Sequence, residues 1–299
     1  MIRVRGLIKH FGGFPALSGL DMNVKAGEIY GFIGQNGAGK TTAMNILAGL
    51  SQPDRGDCIV NGMDIKNLAR PGDLKIGYLP EDPKFYPWMT ARETLLYLSG
   101  AQNHTHVQSL LHWTGLAQAA DRRVGGFSRG MKQRLGIGAA LIRNPELLIM
   151  DEPSSALDPE GRSEVLRMLS DLRNTGKTIL FSTHILDDVE RVCDTVGMID
   201  AGKLVFEKPL AQLLKENEQL LFDIMPMAAI DSKMMDALRS IPGIISVTKA
   251  ASGFTVSVNS SMASVLVMRF LADQGMAVER FSMQKRRLED LFLKEVHDQ

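Results

Sequence analysis

Glu28-Ile29-Tyr30-Gly31-Phe32-Ile33-Gly34-Gln35-Asn36-Gly37-Ala38-Gly39-Lys40-Thr41-Thr42 is a short apolar run that empties into a glycine-rich turn and then into helical spacing. Residues 28–33 read as a strand and residues 40–50 as a helix that ends near Ser51, Gln52 and Pro53. The turn between them fits G-x-x-x-x-G-K-[ST], the pattern of a phosphate-binding loop. Its glycines let the backbone wrap close to phosphate oxygens and turn several N–H groups inward. Lys40 offers a positive charge to β- and γ-phosphates, and the Thr41 hydroxyl stands where it can ligate Mg²⁺. The helix that follows aims its positive end at the same phosphates. Candidate phosphate-site residues are therefore Gly34, Gln35, Asn36, Gly37, Ala38, Gly39, Lys40, Thr41 and Thr42.

Outward from this loop, the first two thirds of the chain alternate short apolar runs with helical patterns, which predicts an α/β fold. Residues 147–150 and 178–182 are continuous apolar runs, as expected of strands buried on both faces of a parallel sheet. Asp158-Pro159 looks like a helix start, with a helix running to about Asn174 and ending at Gly176. A phosphate loop alone leaves kinases, GTPases and ATPases open. Leu147-Leu148-Ile149-Met150-Asp151-Glu152 narrows the field: Asp151 at a strand end can hold Mg²⁺, and Glu152 beside it can take a proton from an attacking water. Taken alone, an Asp-Glu pair after a strand also fits a solvated loop.

The chain has 299 residues, with Lys plus Arg and Asp plus Glu at 34 each, so its formal net charge is zero. A nucleic-acid partner would usually demand a basic excess, and the balance argues against one. Cys58 and Cys193 lie far apart with no His or Cys at metal-ligand spacing, and read as ordinary thiols in a reducing compartment. The amino-terminal segment lacks the pattern of a secretory signal. The apolar run 135–142 is too short to span a bilayer, which takes roughly 18 or more consecutive apolar residues. A membrane role would therefore need a partner chain.

The rhythm shifts near Pro209 and the polar stretch 215–219. Strands at 219–225, 244–249, 254–258 and 276–283 and helices at 232–240 and 262–273 give the order β-α-β-β-α-β, with a Ser252-Gly253 turn. That is the split pattern of a small α+β, ferredoxin-like domain. A last helix is expected at 287–296. The expected division is residues 1–214 and 215–299.

Between the two acidic and phosphate motifs stands Phe127-Ser128-Arg129-Gly130-Met131-Lys132-Gln133-Arg134. With them it resembles the ATP-binding cassette (ABC) family, as a variant of the LSGGQ signature. The ordered motifs cover roughly residues 2–210. Ser128 reads as the N-cap of the helix that follows, and hydroxyl, Gly130 N–H and helix end all suit a γ-phosphate. The resemblance implies that Ser128 and Gly130 act on ATP held by a second cassette, two ATP being sandwiched between two subunits. It implies that Phe11 stacks on adenine, with a core Phe as the competing reading. Ser155-Ala156-Leu157-Asp158 is similar to the D-loop, placing Asp158 at the dimer interface, and His184 to the switch histidine that contacts the γ-phosphate. Lys40, Glu152 and His184 are then the catalytic set, and Thr41, Asp151 and Glu81 the Mg²⁺ set.

Two departures stand out. Gly77-Tyr78-Leu79-Pro80-Glu81 carries Glu where the family's Q-loop has Gln, and Arg129 and Met131 replace signature Gly and Gln. A carboxylate at position 81 can still reach Mg²⁺ but loses the amide donor. These variants, with Leu288-Glu289-Asp290-Leu291-Phe292 near the C-terminus, resemble ATPases of the ABC-2 exporter group, which includes drug, antibiotic-resistance and gliding-motility transporters. The resemblance implies a polytopic permease partner, a peripheral place on the cytoplasmic face of the membrane, and a C-terminal domain that stabilises or regulates the dimer. The aromatic stretch Phe85-Tyr86-Pro87-Trp88 falls where the family receives a permease helix, with local core packing as the alternative. Rival readings are an importer ATPase, which shares every motif, and a soluble ABC ATPase of translation or DNA repair. The latter usually has two cassettes or a long coiled coil, and no sustained heptads occur here.

Overall fold

The computed structural model describes residues 1–100, 103–155, 157–216, 220–228, 231–250 and 253–284. The chain forms two compact units, Met1–Ala211 and Gln212–Gln299.

In the first unit, β1 (Ile2–Phe11) and β2 (Phe14–Val24) make an antiparallel hairpin whose last pair is Phe11 with Phe14. β3 (Ile29–Ile33) is buried at every residue and leads through the phosphate loop into α1 (Lys40–Leu47). The helix stops short of the expected residue 50 because Gly49 turns the chain at φ +73. β4 (Arg55–Val60) and β5 (Met63–Asp64) join the hairpin as an antiparallel sheet in the order β2-β1-β4-β5. This sheet has no counterpart in the sequence expectations. Register shifts between Val4 and Leu7, and again at Leu7/Ile8 and Lys9/His10, break the alternation along β1 by which a half-buried strand is read.

β6 (Ile76–Leu79) is followed by α2 (Ala91–Ser99), α3 (His104–Trp113) and α4 (Arg129–Leu141), which pack on one another as a helical subdomain. The apolar run at 135–142 thus belongs mostly to α4. Then come β7 (Leu147–Met150), α5 (Pro159–Asn174), β8 (Thr178–Thr183), α6 (Leu186–Val192), β9 (Thr195–Asp200), β10 (Lys203–Pro209) and α7 (Leu210–Glu216). The second sheet runs β10-β9-β3-β8-β7-β6, parallel except for β10. Leu7, Leu17 and Leu20 of the first sheet meet Met44 and Ile46 of α1 and Phe32, Ile149 and Leu180 of the second in one apolar core. Each such side chain contributes about 1.5–3 kcal/mol by leaving water. Cys58 and Cys193 are free buried thiols. Burial raises the pKa of both, to about 12 for Cys58.

This topology positions the site. β3, β8 and β7 are adjacent, and the phosphate loop, His184 and Asp151-Glu152 each follow directly on their carboxyl ends. Carboxyl edges of parallel strands are where open α/β sheets hold ligands.

The second unit contains β11 (Leu220–Pro226), α8 (Ser232–Arg239), β12 (Ile244–Ala250), β13 (Gly253–Val258), α9 (Ser261–Asp273) and β14 (Val278–Gln284). Its antiparallel sheet is ordered β12-β13-β11-β14, the split β-α-β-β-α-β arrangement expected. Ile224, Leu238, Phe254, Val256, Val267 and Leu271 fill its core. The helix expected at 287–296, the segment Leu288 to Phe292 and Ser252 lie outside the described residues. Among the described residues no helix is long and apolar enough to cross a membrane.

Candidate active site

The phosphate loop depends on glycine at three points, and at the first, Gly34, a Cβ would lie 2.5 Å from the Ile199 carbonyl oxygen. Gly37 has φ +85, and Gly39, at φ +108, caps α1 where a Cβ would lie 2.6 Å from the Ala16 carbonyl oxygen. The turn brings Lys40 back over its own loop. Lys40 Nζ donates to the Gly34 carbonyl at 2.7 Å and to that of Gln35 at 3.1 Å, and sits 3.4 Å from Glu152 Oε1. Glu152 Oε2 in turn lies 3.0 Å from His184 Nδ1. Residues that follow β3, β7 and β8 in the chain are thus linked in one array, cation to carboxylate to imidazole, with Lys40 and Glu152 each only 6% exposed.

A cavity of about 510 Å³ opens beside this array. Of the expected residues, Phe11, Asn36, Gly37, Gly39, Lys40, Thr41, Thr42, Glu81, Glu152 and His184 line it. Gly34, Gln35 and Ala38 do not line it; the first two hold Lys40, and the Ala38 N–H closes the turn on the Gln35 carbonyl at 3.2 Å. Phe14 and Ala16 also line the cavity and were not anticipated. Phe14 is 66% exposed and Phe11 54%, side by side at the tip of the hairpin, so Phe11 is no core residue. The signal for Phe14 was a second aromatic two glycines from Phe11. Lys9 Nζ stands 5.4 Å from the Phe11 ring centre, and Asp54 accepts from both Lys9 Nζ and the His10 N–H. The His10 N–H, then Lys9, hold the Asp54 carboxyl below its ordinary pKa.

Asp151 lies behind Glu152, 1% exposed. Its Oδ1 accepts from Ser182 Oγ at 2.6 Å, while Oδ2 is buried with no partner in the protein. Burial, and then the Asp151 charge, push the neighbouring Tyr78 hydroxyl up to about 12. An orphaned buried carboxylate oxygen suits a cation bound here. Among the described residues no group of three or more His, Cys, Asp or Glu gathers as a cage. That donor set fits Mg²⁺, which binds through one or two protein oxygens and keeps its phosphate and water ligands.

Ser128, Gly130 and Asp158 stand outside the cavity. Ser128 Oγ accepts from the Met131 N–H at 3.2 Å and Asp158 Oδ1 from the Gly161 N–H at 2.9 Å, each capping its own helix. Ala156 of the D-loop lies outside the described residues.

A larger cavity of about 970 Å³ opens where β6 and β7 begin, near Asn61, Lys75 and Glu146. It sits at the amino ends of the parallel strands and has no glycine-rich cradle, so the smaller one is the better nucleotide site.

Comparison with known proteins bears on this geometry. Residues 17–155 match the family model described as ABC transporter. The uncharacterized ABC transporter ATP-binding protein YxlF of Bacillus subtilis (strain 168) is 36% identical over 304 residues, covering 99% of this chain and 100% of that protein. The linearmycin resistance ATP-binding protein LnrL of the same strain is 30% identical, covering 98% of this chain and 97% of that one. The bacitracin transport ATP-binding protein BcrA of Bacillus licheniformis is 41% identical over 74% of each. A dimeric structure of a post-hydrolysis state of the ATP-binding cassette MJ0796, bound to ADP and Pi, superposes with a TM-score of 0.65. It is 25% identical and covers 70% of this chain and 99% of its own. The phosphate loop, the acidic strand end and the near full-length relatives lead to one conclusion: the chain belongs to the ABC transporter ATP-binding proteins, a family of ATPases.

Proposed function

We propose that the chain is the ATP-hydrolysing subunit of a membrane exporter and works as a head-to-tail dimer with ATP at the interface. The observation that carries the hydrolytic part is the Lys40–Glu152–His184 array at the edge of the cavity. The exporter part rests on relatives whose names specify linearmycin resistance, bacitracin transport and Nod factor export.

ATP fits the 510 Å³ cavity with its base against Phe11 and Phe14 and its phosphates along residues 34–42. Lys40 exchanges the Gly34 and Gln35 carbonyls for phosphate oxygens. Thr41 and Asp151 are the residues to hold Mg²⁺, with Glu81 at the rim as a further carboxylate; bound there, the ion neutralises charge on the β- and γ-phosphates. Glu152 accepts the proton of the attacking water, and His184, now on Glu152, positions the γ-phosphate. Ser128 and Gly130 of a second cassette, a copy of this chain or a relative, close the site, with Asp158 at the same interface.

Residues 1–214 form the cassette and residues 215–299 an accessory domain that stabilises or regulates the dimer. The permease docks on Tyr86, Trp88 and Tyr97. Tyr86 and Trp88 rings lie 5.0 Å apart and Tyr97 of α2 meets Tyr86 edge-on at 6.4 Å, yet all three are more than half exposed. Such a cluster has the composition of an interface core. This docking gives the chain a peripheral place on the cytoplasmic face of the membrane, and no nucleic acid is involved.

The test is to tag the chain, solubilise membranes in mild detergent and identify stoichiometric co-purifying proteins by mass spectrometry. A polytopic partner is expected, lost on Trp88→Ala. Recovery only in the soluble fraction, alone or with ribosomes or DNA, would overturn the transporter reading.

A further inference from the structure

Both acids of the site hang from one hydroxyl. Ser182, the penultimate residue of β8, is fully buried. Its Oγ donates to Asp151 Oδ1 at 2.6 Å and accepts from the Glu152 N–H at 2.9 Å. A serine hydroxyl has one proton, and here it is committed to Oδ1. The other oxygen of Asp151, buried and unpartnered, is thereby the one left for a cation. Glu152 has φ +48, a backbone region that residues with side chains rarely adopt and that persists only where the surroundings hold it. The bond from its N–H to Ser182 is such a hold, and the turn it fixes sends the Glu152 carboxylate toward Lys40 and His184.

We propose that Ser182 is a positioning residue for hydrolysis: it selects the Asp151 oxygen that faces the cation and locks the backbone turn that aims Glu152. The proposal rests on the reading of Asp151 as cation holder and Glu152 as base. A buried hydroxyl that only filled space would affect stability and leave metal dependence alone. Ser182 predicts the opposite pattern, because partners that orient a metal ligand carry part of the metal's affinity.

The experiment uses the full chain with Ser182→Ala, Ser182→Thr and Ser182→Cys. Binding of a fluorescent ATP analogue is titrated with MgCl₂ and repeated in EDTA, turnover is followed by phosphate release, and thermal unfolding is recorded without ligand. Ser182→Ala should raise half-saturating Mg²⁺ and lower saturated turnover by about tenfold or more each. Binding in EDTA should stay within about twofold of the parent, and Ser182→Thr, which keeps the hydroxyl, should recover most of both losses. Parental Mg²⁺ dependence and turnover in Ser182→Ala would overturn the proposal, as would a turnover loss with unchanged Mg²⁺ dependence. If Ser182→Ala does not fold, Ser182→Cys, of similar volume but with a weaker donor and acceptor, must shift Mg²⁺ dependence in the same direction or the proposal falls. Asp151→Asn and Glu152→Gln are run in parallel. Parental turnover in those two overturns the reading of the acids, whereas their loss alongside an unaffected Ser182→Ala overturns the role of Ser182 alone.

Discussion

The strand-edge half of the site and the helix-capping half are built by opposite rules. At the carboxyl edges of β3, β7 and β8 the polar groups, the exposed His184 apart, are buried and tied to one another: Lys40 to Gly34, Gln35 and Glu152, Glu152 to His184, and Asp151 to Ser182. On α4 and α5, Ser128 and Asp158 are exposed, and each spends its oxygen on the first turn of its own helix. Buried charges cost too much to leave loose, so the first half is held in place before any ligand arrives. Exposed caps are satisfied without a ligand and can wait on a surface. On the proposed reading the first half serves the chain's own nucleotide and the second a nucleotide held by another cassette.

The sharpest way to test this division is inside the buried half. Glu152→Gln keeps shape and burial but removes the base, so turnover should fall by about 10²- to 10⁴-fold while ATP binding persists. Phosphate release and equilibrium binding, measured on one preparation, check both halves of that statement. Near-normal turnover would remove Glu152 from the role of base.

A weaker but more discriminating effect comes from mixing variants. Lys40→Ala should abolish tight ATP binding, whereas Ser128→Arg should leave each chain able to bind ATP and unable to complete its partner's site. Each alone should be nearly inactive. In an equal mixture about half of the dimers pair the two variants, and each of these keeps one intact site, so roughly a quarter of parental turnover should return. If turnover in the mixture is only the average of the two variants, both residues serve the same chain's nucleotide and the comparison breaks.

On stability the order is reversed, since the exposed half carries its helix caps. Ser128→Ala and Asp158→Ala should each cost about 0.5–2 kcal/mol in denaturant unfolding, the usual loss for an N-cap. Gly at either position should cost only a few tenths of that unit, because it still suits a cap.

The same contrast explains what was legible in the sequence. The phosphate loop, the acidic strand end and the capped signature helix each place their chemistry within a few consecutive residues, and pattern reading finds such segments. Ser182 escaped notice although it stands two residues before His184. Its partners lie 31 and 30 residues away and meet it only through pairing of β7 with β8. Tyr97 was missed for a like reason, since α2 must fold before it reaches Tyr86. The antiparallel sheet was hidden by register breaks in β1. The order β11 to β14 was readable because its strands are short and two of them are separated by only two residues in sequence, with helices of clear period between the others.

The smallest expected effect concerns the base-binding end, which belongs to neither half. Phe11 and Phe14 are exposed on the tip of a hairpin, so truncating either removes little packing and little stability. What is lost, on the proposed reading, is stacking on adenine, worth about 0.5–1.5 kcal/mol for an aromatic pair. Phe11→Ala should therefore raise the half-saturating ATP concentration about two- to tenfold, while turnover at saturation stays near parental because the phosphates are untouched. Phe11→Tyr should be close to neutral. The two rings share one rim, so Phe14→Ala decides between them: a larger effect than Phe11→Ala would move the stacking role to Phe14. If both single variants are silent and only the double variant raises the ATP requirement, either ring can serve. The hairpin tip then offers an interchangeable apolar surface, in contrast to the fixed positions that hold the phosphates.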